Sequence, residues 1–349
     1  MPPPMTAVRL PDWGRSPVVT ELARPLPRDG QVLVRVEAVG LCRSDLHVID
    51  ADRGTMPFRP PFTLGHEVAG RITAHGPAAA VTVGRRVVIH GPWGCGSCLR
   101  CTQGRDNYCD RRAELSWAGM GLGLDGGMAE YVLVPSARHL VPIGDLDAGE
   151  AAPLTDAGLT SYHAVAGIRP RLGADSTVAV IGVGGLGHLA VQMLRALTPC
   201  RVIAVDVREE ALALAERSGA HLSTKATTDT SRVLRATTSG TGVDAVLDFV
   251  GSRSTLDLGT RGLRADGDLV LVGSGGGELT VRKPGSLPPG SRISLPFWGS
   301  RDELADVVAL SRSGALKVEA ERFPLTAVHE AMSALRDGRL SGRAVLVPG

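Results

Sequence analysis

A glycine-rich turn between a predicted strand and a predicted helix constrains the fold more than any other feature. Thr177–Ile181 is an apolar run rich in β-branched residues, and residues 182–187 then read GVGGLG. Apolar residues follow at 186, 189, 190, 193, 194 and 197, which is the spacing of one helix face. Strand, tight turn and helix in this order build doubly wound parallel sheets. The sequence therefore predicts an α/β fold.

The same turn carries a ligand-binding pattern. Its residues are Gly182, Gly184, Gly185, Leu186 and Gly187. Such glycines allow a sharp turn and close approach of a pyrophosphate, whose charge meets the helix N-terminus. Asp206 closes the next predicted strand, where a carboxylate accepts hydrogen bonds from a ribose 2′-hydroxyl and repels a 2′-phosphate. The pattern favours NAD over NADP, with Arg208 as either a phosphate partner or a solvated charge.

Four cysteines form a second constraint. The spacing C-x2-C-x2-C-x7-C comprises Cys95, Cys98, Cys101 and Cys109. Six cysteines in 349 residues are too few for a disulfide scaffold. Four thiolates complete a tetrahedral zinc site and leave no open position, so this site is predicted to be structural. An iron–sulfur run would have a shorter last gap followed by proline.

A thiol, an imidazole and carboxylates suggest another metal site. Cys42 and His66 each lie beside glycine turns, and Glu67 follows His66 directly. Three mixed protein ligands with one open position are typical of catalytic zinc. Spacing alone leaves open the alternatives of a buried small thiol and a core histidine.

The rhythm of apolar residues changes along the chain. Short strand patterns separated by turns come first, at Gln31–Val39, Gly84–His90 and Ala129–Val134. Strands and helices alternate afterwards, at Arg201–Val205, Glu209–Arg217, Val243–Phe249 and Asp268–Val272. Helical patterns at Arg301–Leu310 and Ala327–Arg336 precede a last strand at Arg343–Val347. We expect a β-rich domain of residues 1–155 and 298–349 around a nucleotide-binding domain of residues 156–297.

Charge and N-terminal composition exclude several classes of protein. Lys and Arg total 38 against 36 Asp and Glu, which argues against nucleic-acid or anionic-membrane partners. No basic start followed by an apolar stretch marks a secretory signal. Ser176–Leu194 carries no formal charge, but the strand, turn and helix described above account for it without a membrane. We expect a cytoplasmic protein.

Taken together, these motifs resemble the zinc-dependent medium-chain alcohol dehydrogenases. GHExxG at 65–70, the four-cysteine lobe at about 91–112, GVGGLG and DFVG at 248–251 appear in the family's order across nearly the whole chain. Their context looks most like bacterial NAD-dependent secondary-alcohol dehydrogenases. The resemblance implies a GroES-like catalytic domain, a Rossmann domain, two zinc ions, and hydride transfer between NAD(H) and an alcohol or carbonyl substrate.

The resemblance also implies roles for individual residues. The implied ligands of the catalytic zinc are Cys42, His66 and Asp156, with Glu67 able to join transiently. Asp45 would orient His66, and Ser44 with His47 would relay the substrate proton. The implied cofactor contacts are Thr160 at the nicotinamide, Val272 and Gly273 near its carboxamide side, and Arg343 at the pyrophosphate. Val250 is a further expected cofactor contact. Apolar walls of the substrate pocket are expected at Trp93, Trp117, Phe297 and Trp298, with core or interface packing as the alternative.

Three other functions compete with this interpretation. A polyol or sugar dehydrogenase of the same family would share every motif. A zinc-free quinone or enoyl reductase would lack the cysteines, and a non-catalytic NAD-binding or zinc-binding protein would hold one zinc rather than two.

The substrate is expected to be a small alcohol or ketone. Association as a homodimer or homotetramer is expected near Ile293–Trp298.

Overall fold

The computed structural model describes residues 3–349, which divide into two compact units. Within these residues, unit 1 consists of 3–159 and Trp298–Gly349, and unit 2 of Thr160–Phe297. Residues 1 and 2 of the predicted first domain lie outside the described residues. Unit 2 begins at residue 160 rather than at the expected 156, so that Asp156 belongs to the β-rich unit.

The first segment of unit 1 is built mainly of strands. They are β1 (Pro4–Leu10), β2 (Val18–Ala23), β3 (Val32–Leu41), β4 (Phe62–Thr63), β5 (Glu67–His75), β6 (Arg86–Ile89), β7 (Gly119–Met120), β8 (Gly123–Leu124), β9 (Tyr131–Val134) and β10 (Leu140–Pro142). The helices are α1 (Arg43–Ile49), α2 (Leu99–Thr102), α3 (Ala148–Ala151) and α4 (Ala157–Ile168), of which α4 continues into unit 2.

Unit 2 alternates strands with helices. Its strands are β11 (Thr177–Ile181), β12 (Arg201–Asp206), β13 (Leu222–Lys225), β14 (Val243–Asp248), β15 (Leu263–Leu271) and β16 (Arg292–Ser294). Its helices are α5 (Gly187–Leu197), α6 (Glu209–Arg217), α7 (Thr230–Ala236) and α8 (Arg253–Gly262). The chain then returns to unit 1 with α9 (Arg301–Arg312), β17 (Ala320–Pro324), α10 (Val328–Arg336) and β18 (Arg343–Val347).

The main sheet of unit 1 has the order β10-β6-β5-β3-β18-β17, and β9 also pairs with β3. Its pairs are antiparallel except for β17 with β18. Strand β3 lies in the middle of this sheet, and its apolar residues are buried along most of its length. The expectation of a largely antiparallel β region is thus confirmed, with one parallel pair at the edge.

The sheet of unit 2 is wholly parallel, in the order β13-β12-β11-β14-β15-β16. All five residues of β11 are buried, as expected for a strand covered by helices on both faces. The strand order reverses between β11 and β14, and ligands of such sheets bind at the carboxyl ends of the strands at this reversal. The predicted doubly wound sheet is confirmed.

The uncharged run at Ser176–Leu194 folds as β11, the glycine turn and most of α5. Within residues 3–349, no helix combines the length and apolarity needed to cross a membrane.

Close packing of the glycine turn generates a stability prediction. A Cβ on Gly187 would collide with the carbonyl oxygen of Gly182 and would lie 3.0 Å from the carbonyl carbon of that residue. Gly187→Ala should therefore lower the free energy of unfolding, by about 1–3 kcal/mol, in urea titrations. Gly167→Ala is the matched control: no atom lies within 4 Å of its added Cβ, and alanine favours helix α4 by roughly 0.5–1 kcal/mol. A Gly187→Ala protein as stable as wild type would contradict this packing.

Candidate active site

The register of two antiparallel strands brings Cys42 and His66 together. Gly40 on β3 pairs with Glu67 on β5, so the residue after β3 and the residue before β5 are neighbours. Asp156 follows a short 3-10 helix, residues 152–155, that packs on β3 and β5. The local sequence gave no sign that Asp156 lies close to Cys42 and His66. Asp156 was expected there only from the family resemblance.

Three potential metal ligands converge in unit 1. Cys42 Sγ lies 3.4 Å from Asp156 Oδ2, and His66 Nε2 lies 3.5 Å from the same oxygen. With a carboxylate oxygen of Glu67, these atoms lie within 4.8 Å of one another. Typical zinc bond lengths give ligand-to-ligand separations of about 3.3–3.6 Å in a tetrahedral site. The donor set and its spacing therefore fit zinc.

Asp45 contacts two residues of this cluster, Cys42 and His66. Its Oδ2 accepts a hydrogen bond from the Cys42 backbone N–H at 2.9 Å, and its Oδ1 lies 3.4 Å from His66 Nδ1. Burial alone would lower the pKa of His66, but the charge of Asp45 and the contacts of the imidazole with Asp156, Asp45 and Cys42 raise it well above its usual value. Asp45 thus faces the nitrogen that points away from the cluster, consistent with the orienting role predicted for it.

Glu67 and Arg343 form a buried ion pair that sequence analysis did not foresee. The Arg343 guanidinium donates to Glu67, and both side chains are almost fully buried. Burial raises the pKa of Glu67 above its usual value, and Arg343 opposes that shift. A side chain at Gly40 would collide with Glu67, so the glycine makes room for the carboxylate. The pairing of β18 with β3 brings Arg343 here, and the pyrophosphate contact expected for Arg343 stays a prediction.

The residues predicted to relay a proton lie on α1. Ser44 Oγ is 3.7 Å from Cys42 Sγ, and the serine is half-buried. His47 lies in the last turn of α1 and is exposed to solvent. Ser44 thus lies near the ligand cluster and His47 reaches solvent on the same helix, and the relay between them stays a prediction.

The structure brings the four cysteines of the lobe together. The Sγ atoms of Cys95 and Cys101 lie 4.0 Å apart, and those of Cys98 and Cys109 lie 3.9 Å apart. These separations are far longer than a disulfide bond and close to the roughly 3.8 Å between thiolates on tetrahedral zinc. Backbone N–H groups of Cys95 and Cys98 point to Cys109 Sγ and Cys95 Sγ, as is usual for metal thiolates. The lobe fits a closed zinc site.

An ion pair ties this lobe to the rest of unit 1. Asp106 receives two hydrogen bonds from Arg138, at 2.6 and 2.7 Å, and a third from the Gly94 N–H. Trp93 is buried, and its indole donates to the His90 carbonyl. The indole of Trp117 donates to the Trp93 carbonyl. Trp93 and Trp117, two of the expected pocket walls, are thus held beside the lobe by hydrogen bonds to backbone carbonyls.

The other two expected pocket walls differ in exposure. Phe297, the last residue of unit 2, is 42% exposed. Trp298 is 5% exposed, and its ring meets the His66 ring at 83° with centroids 5.7 Å apart. This contact with a candidate metal ligand had no signal in the local sequence.

In unit 2, Asp206 organises the glycine turn. Its Oδ2 accepts from the Val183 N–H at 2.7 Å and its Oδ1 from the Arg208 N–H at 3.0 Å. A Cβ on Gly184 would lie 3.7 Å from a terminal nitrogen of Arg208 and no closer to any other atom. The turn therefore leaves open space at Gly184, as binding of a pyrophosphate requires, with an arginine beside it.

The remaining predicted cofactor contacts also lie in unit 2. The backbone N–H groups of Val272 and Gly273 both donate to the Asp248 carbonyl, which fixes the end of β15 beside the end of β14. A Cβ on Gly273 would collide with the backbone of Val250. Thr160, in the first turn of α4, is nearly buried. The structure thus places Val250 next to Gly273, and the contacts with nicotinamide stay predictions.

Known proteins match this chain over nearly its whole length. Residues 28–145 match the alcohol dehydrogenase GroES-like domain, and residues 185–313 match the zinc-binding dehydrogenase domain. An NAD-dependent alcohol dehydrogenase of Sulfurisphaera tokodaii is 35% identical, over 99% of this chain and 100% of that protein. A D-arabinose 1-dehydrogenase (NADP(+)) of Saccharolobus solfataricus is 33% identical, over 93% and 92% respectively. The crystal structure of the Aeropyrum pernix alcohol dehydrogenase superposes with a TM-score of 0.90 at 34% identity, covering 98% and 100%.

The environment of His66 predicts a pH dependence of metal binding. An imidazole binds a metal only as the free base, so a raised pKa makes protons compete at higher pH and weakens zinc binding as the pH falls. Asp45→Asn removes the charge that raises this pKa while keeping an oxygen to accept from Cys42. The pH at which zinc affinity is half lost should therefore move downwards, as measured by competition with a chelator on metal-free protein. An unchanged or higher midpoint would contradict the role given to Asp45.

Proposed function

Since the chain belongs to the zinc-dependent medium-chain alcohol dehydrogenase family, we propose that it oxidises secondary alcohols to ketones at a zinc ion held by Cys42, His66 and Asp156, and catalyses the reverse reaction. The observation that carries this proposal is the convergence of a thiol, an imidazole nitrogen and a carboxylate oxygen within 4.8 Å. The protein is an NAD-dependent, zinc-binding oxidoreductase, and its substrates are small molecules. Beyond this, we propose that the substrate is a secondary alcohol and that the zinc ligands are Cys42, His66 and Asp156.

The proposal assigns two zinc ions to each chain. One is held by the four cysteines of the lobe, whose sulfur separations suit a closed site. The other is held by the three mixed ligands, whose two negative charges and neutral imidazole balance a divalent ion. Glu67, paired with Arg343, is the transient fourth protein ligand.

The chemistry divides between bound groups and protein residues. Zinc makes a bound hydroxyl more acidic or a carbonyl more electrophilic, and the nicotinamide carries the hydride. Ser44, 3.7 Å from Cys42 Sγ, would accept the proton of the substrate hydroxyl while releasing its own hydroxyl proton. His47, which is exposed, would take the proton that Ser44 releases and pass it to solvent. Asp45 keeps Nε2 of His66 directed at the ligand cluster.

Cofactor binding is assigned to the glycine turn of unit 2. The pyrophosphate lies at Gly184 and at the N-terminus of α5, where backbone N–H groups and open space are available. Asp206 accepts the ribose hydroxyls, and its charge disfavours a 2′-phosphate. Thr160, Val250, Val272 and Gly273 contact the nicotinamide end. Arg343 contacts the pyrophosphate.

A sugar or polyol substrate is the second candidate, because one relative is named as a D-arabinose dehydrogenase. The secondary alcohol is favoured by the apolar residues expected to line the pocket, Trp93, Trp117, Phe297 and Trp298. We further propose a homodimer or homotetramer formed near Ile293–Trp298, where Leu295 and Phe297 are exposed apolar residues just after the edge strand β16. The six free cysteines suit the reducing cytoplasm.

A substrate panel tests the proposed reaction directly. We expect kcat/KM for 2-alkanols with NAD to exceed that for sorbitol and D-arabinose, and to exceed that for the same alkanols with NADP by about tenfold or more. NADH and NADPH absorbance provides the measurement. Preference for the polyols would establish the second candidate instead, and equal use of NADP would contradict the role of Asp206.

Removal of Asp156 tests the ligand set. Asp156→Ala should reduce the zinc content from two ions to one per chain and lower kcat/KM by at least 10–100-fold, since lesser changes around metal ligands cost that much. Cys98→Ser is the matched variant: it should lose the other zinc and lower the melting temperature. Elemental analysis and calorimetry distinguish the two patterns. Full zinc content and activity in Asp156→Ala would show that the third ligand is another residue.

A further inference from the structure

Trp298 adopts a backbone conformation that bulky residues avoid. Its φ is +53°, and within residues 3–349 only Ser239 and Asp266 share a positive φ among residues other than glycine. Asp is enriched in the left-handed region, whereas a bulky residue such as tryptophan is an outlier there. Strain of this kind persists only where the surroundings enforce it, and it is concentrated at functional positions.

The residues that follow hold this conformation in place. The Gly299 carbonyl accepts a hydrogen bond from His90 Nε2 at 2.9 Å. A Cβ on Gly299 would lie 2.6 Å from Leu159 Cδ1, so the backbone there is packed tightly against the interior. Ser300 and Glu303 then form a capping box at the start of α9. The backbone after Trp298 is therefore fixed, and the indole is directed inwards.

The interior is shaped to receive that indole. A Cβ on Gly91 would lie 2.8 Å from Trp298 Cζ2, so only glycine leaves room at this position. The ring of Trp298 meets the ring of His66 at 83°, with centroids 5.7 Å apart, which is a favoured geometry for aromatic pairs. His66 is itself 1% exposed. A strained tryptophan and a glycine thus combine to place one aromatic ring against the imidazole.

We propose that Trp298 is a positioning residue for the mixed-ligand zinc site, an inference that rests on the proposed role of His66 as a ligand. Asp45 faces Nδ1 and sets which nitrogen is free, but one contact at 3.4 Å does not fix the tilt of the ring. The perpendicular indole restricts that tilt, so that Nε2 stays directed at the ligand cluster. Trp298 therefore acts through His66, in addition to any contact it has with substrate.

Metal titration of the metal-free protein tests this role without an activity assay. Cobalt(II) replaces zinc, and its visible ligand-field bands report the geometry of each site; the four-thiolate bands serve as an internal reference. Trp298→Gly removes the ring and relieves the backbone strain, whereas Trp298→Phe keeps an aromatic ring. Ser239→Gly is the matched control, because it relieves the same φ of +53° in unit 2, away from both predicted metal sites in the sequence.

We expect Trp298→Gly to weaken cobalt and zinc binding at the mixed-ligand site by about 10–100-fold and to shift its cobalt bands, with the four-thiolate bands unchanged. Trp298→Phe should stay within about threefold of wild type, and Ser239→Gly should match wild type. The proposal is overturned if Trp298→Gly keeps wild-type affinity and bands, or if Trp298→Phe is as impaired as Trp298→Gly. If Trp298→Gly does not fold, Trp298→Leu is judged by the same criteria. Absence of mixed-ligand bands in wild type would instead refute the proposed function.

Discussion

The register between β3 and β5 is the constraint on which the candidate site depends. Pairing Gly40 with Glu67 places Cys42 and His66 side by side at the ends of their strands. A slip of one residue would turn each side chain to the opposite face of the sheet and separate the two ligands. The apolar faces of both strands are buried in unit 1, which fixes this register. The metal site is therefore a consequence of how the β-rich unit packs its core.

Electrostatics explain why charged and hydrogen-bonding residues surround the candidate metal site. With a metal bound, Cys42 as a thiolate and Asp156 would place two negative charges in the cluster, with Glu67 beside them. Such charges are costly to bury unless they are compensated. Arg343 compensates Glu67, and a divalent ion would compensate the other two. Burial would lower the pKa of His66, but the charge of Asp45 and the contact with Asp156 raise it well above its usual value.

Sequence analysis predicted the periodic elements well and the aperiodic ones poorly. Strand β11 and helix α6 begin and end where their patterns do, because apolar spacing directly records which face is buried. Helix α4 was not predicted, since it is buried over most of its surface and shows no polar face. Helix α8 was not predicted because its sequence, RSTLDLGTRG, is polar and contains two glycines with low helix propensity. At the site, local motifs identified the cysteines, whereas the contacts of Arg343 and Trp298 join residues far apart in sequence and left no local pattern.

The central claim is that one chain holds a zinc ion with an open position as well as a closed one. Anomalous diffraction at the zinc edge, from crystals of the protein grown with zinc, tests it most directly. The account predicts two peaks per chain, one among the four cysteines and one bounded by Cys42, His66 and Asp156, with a fourth ligand that does not come from the protein. A single peak at the four cysteines, with none beside His66, would contradict it.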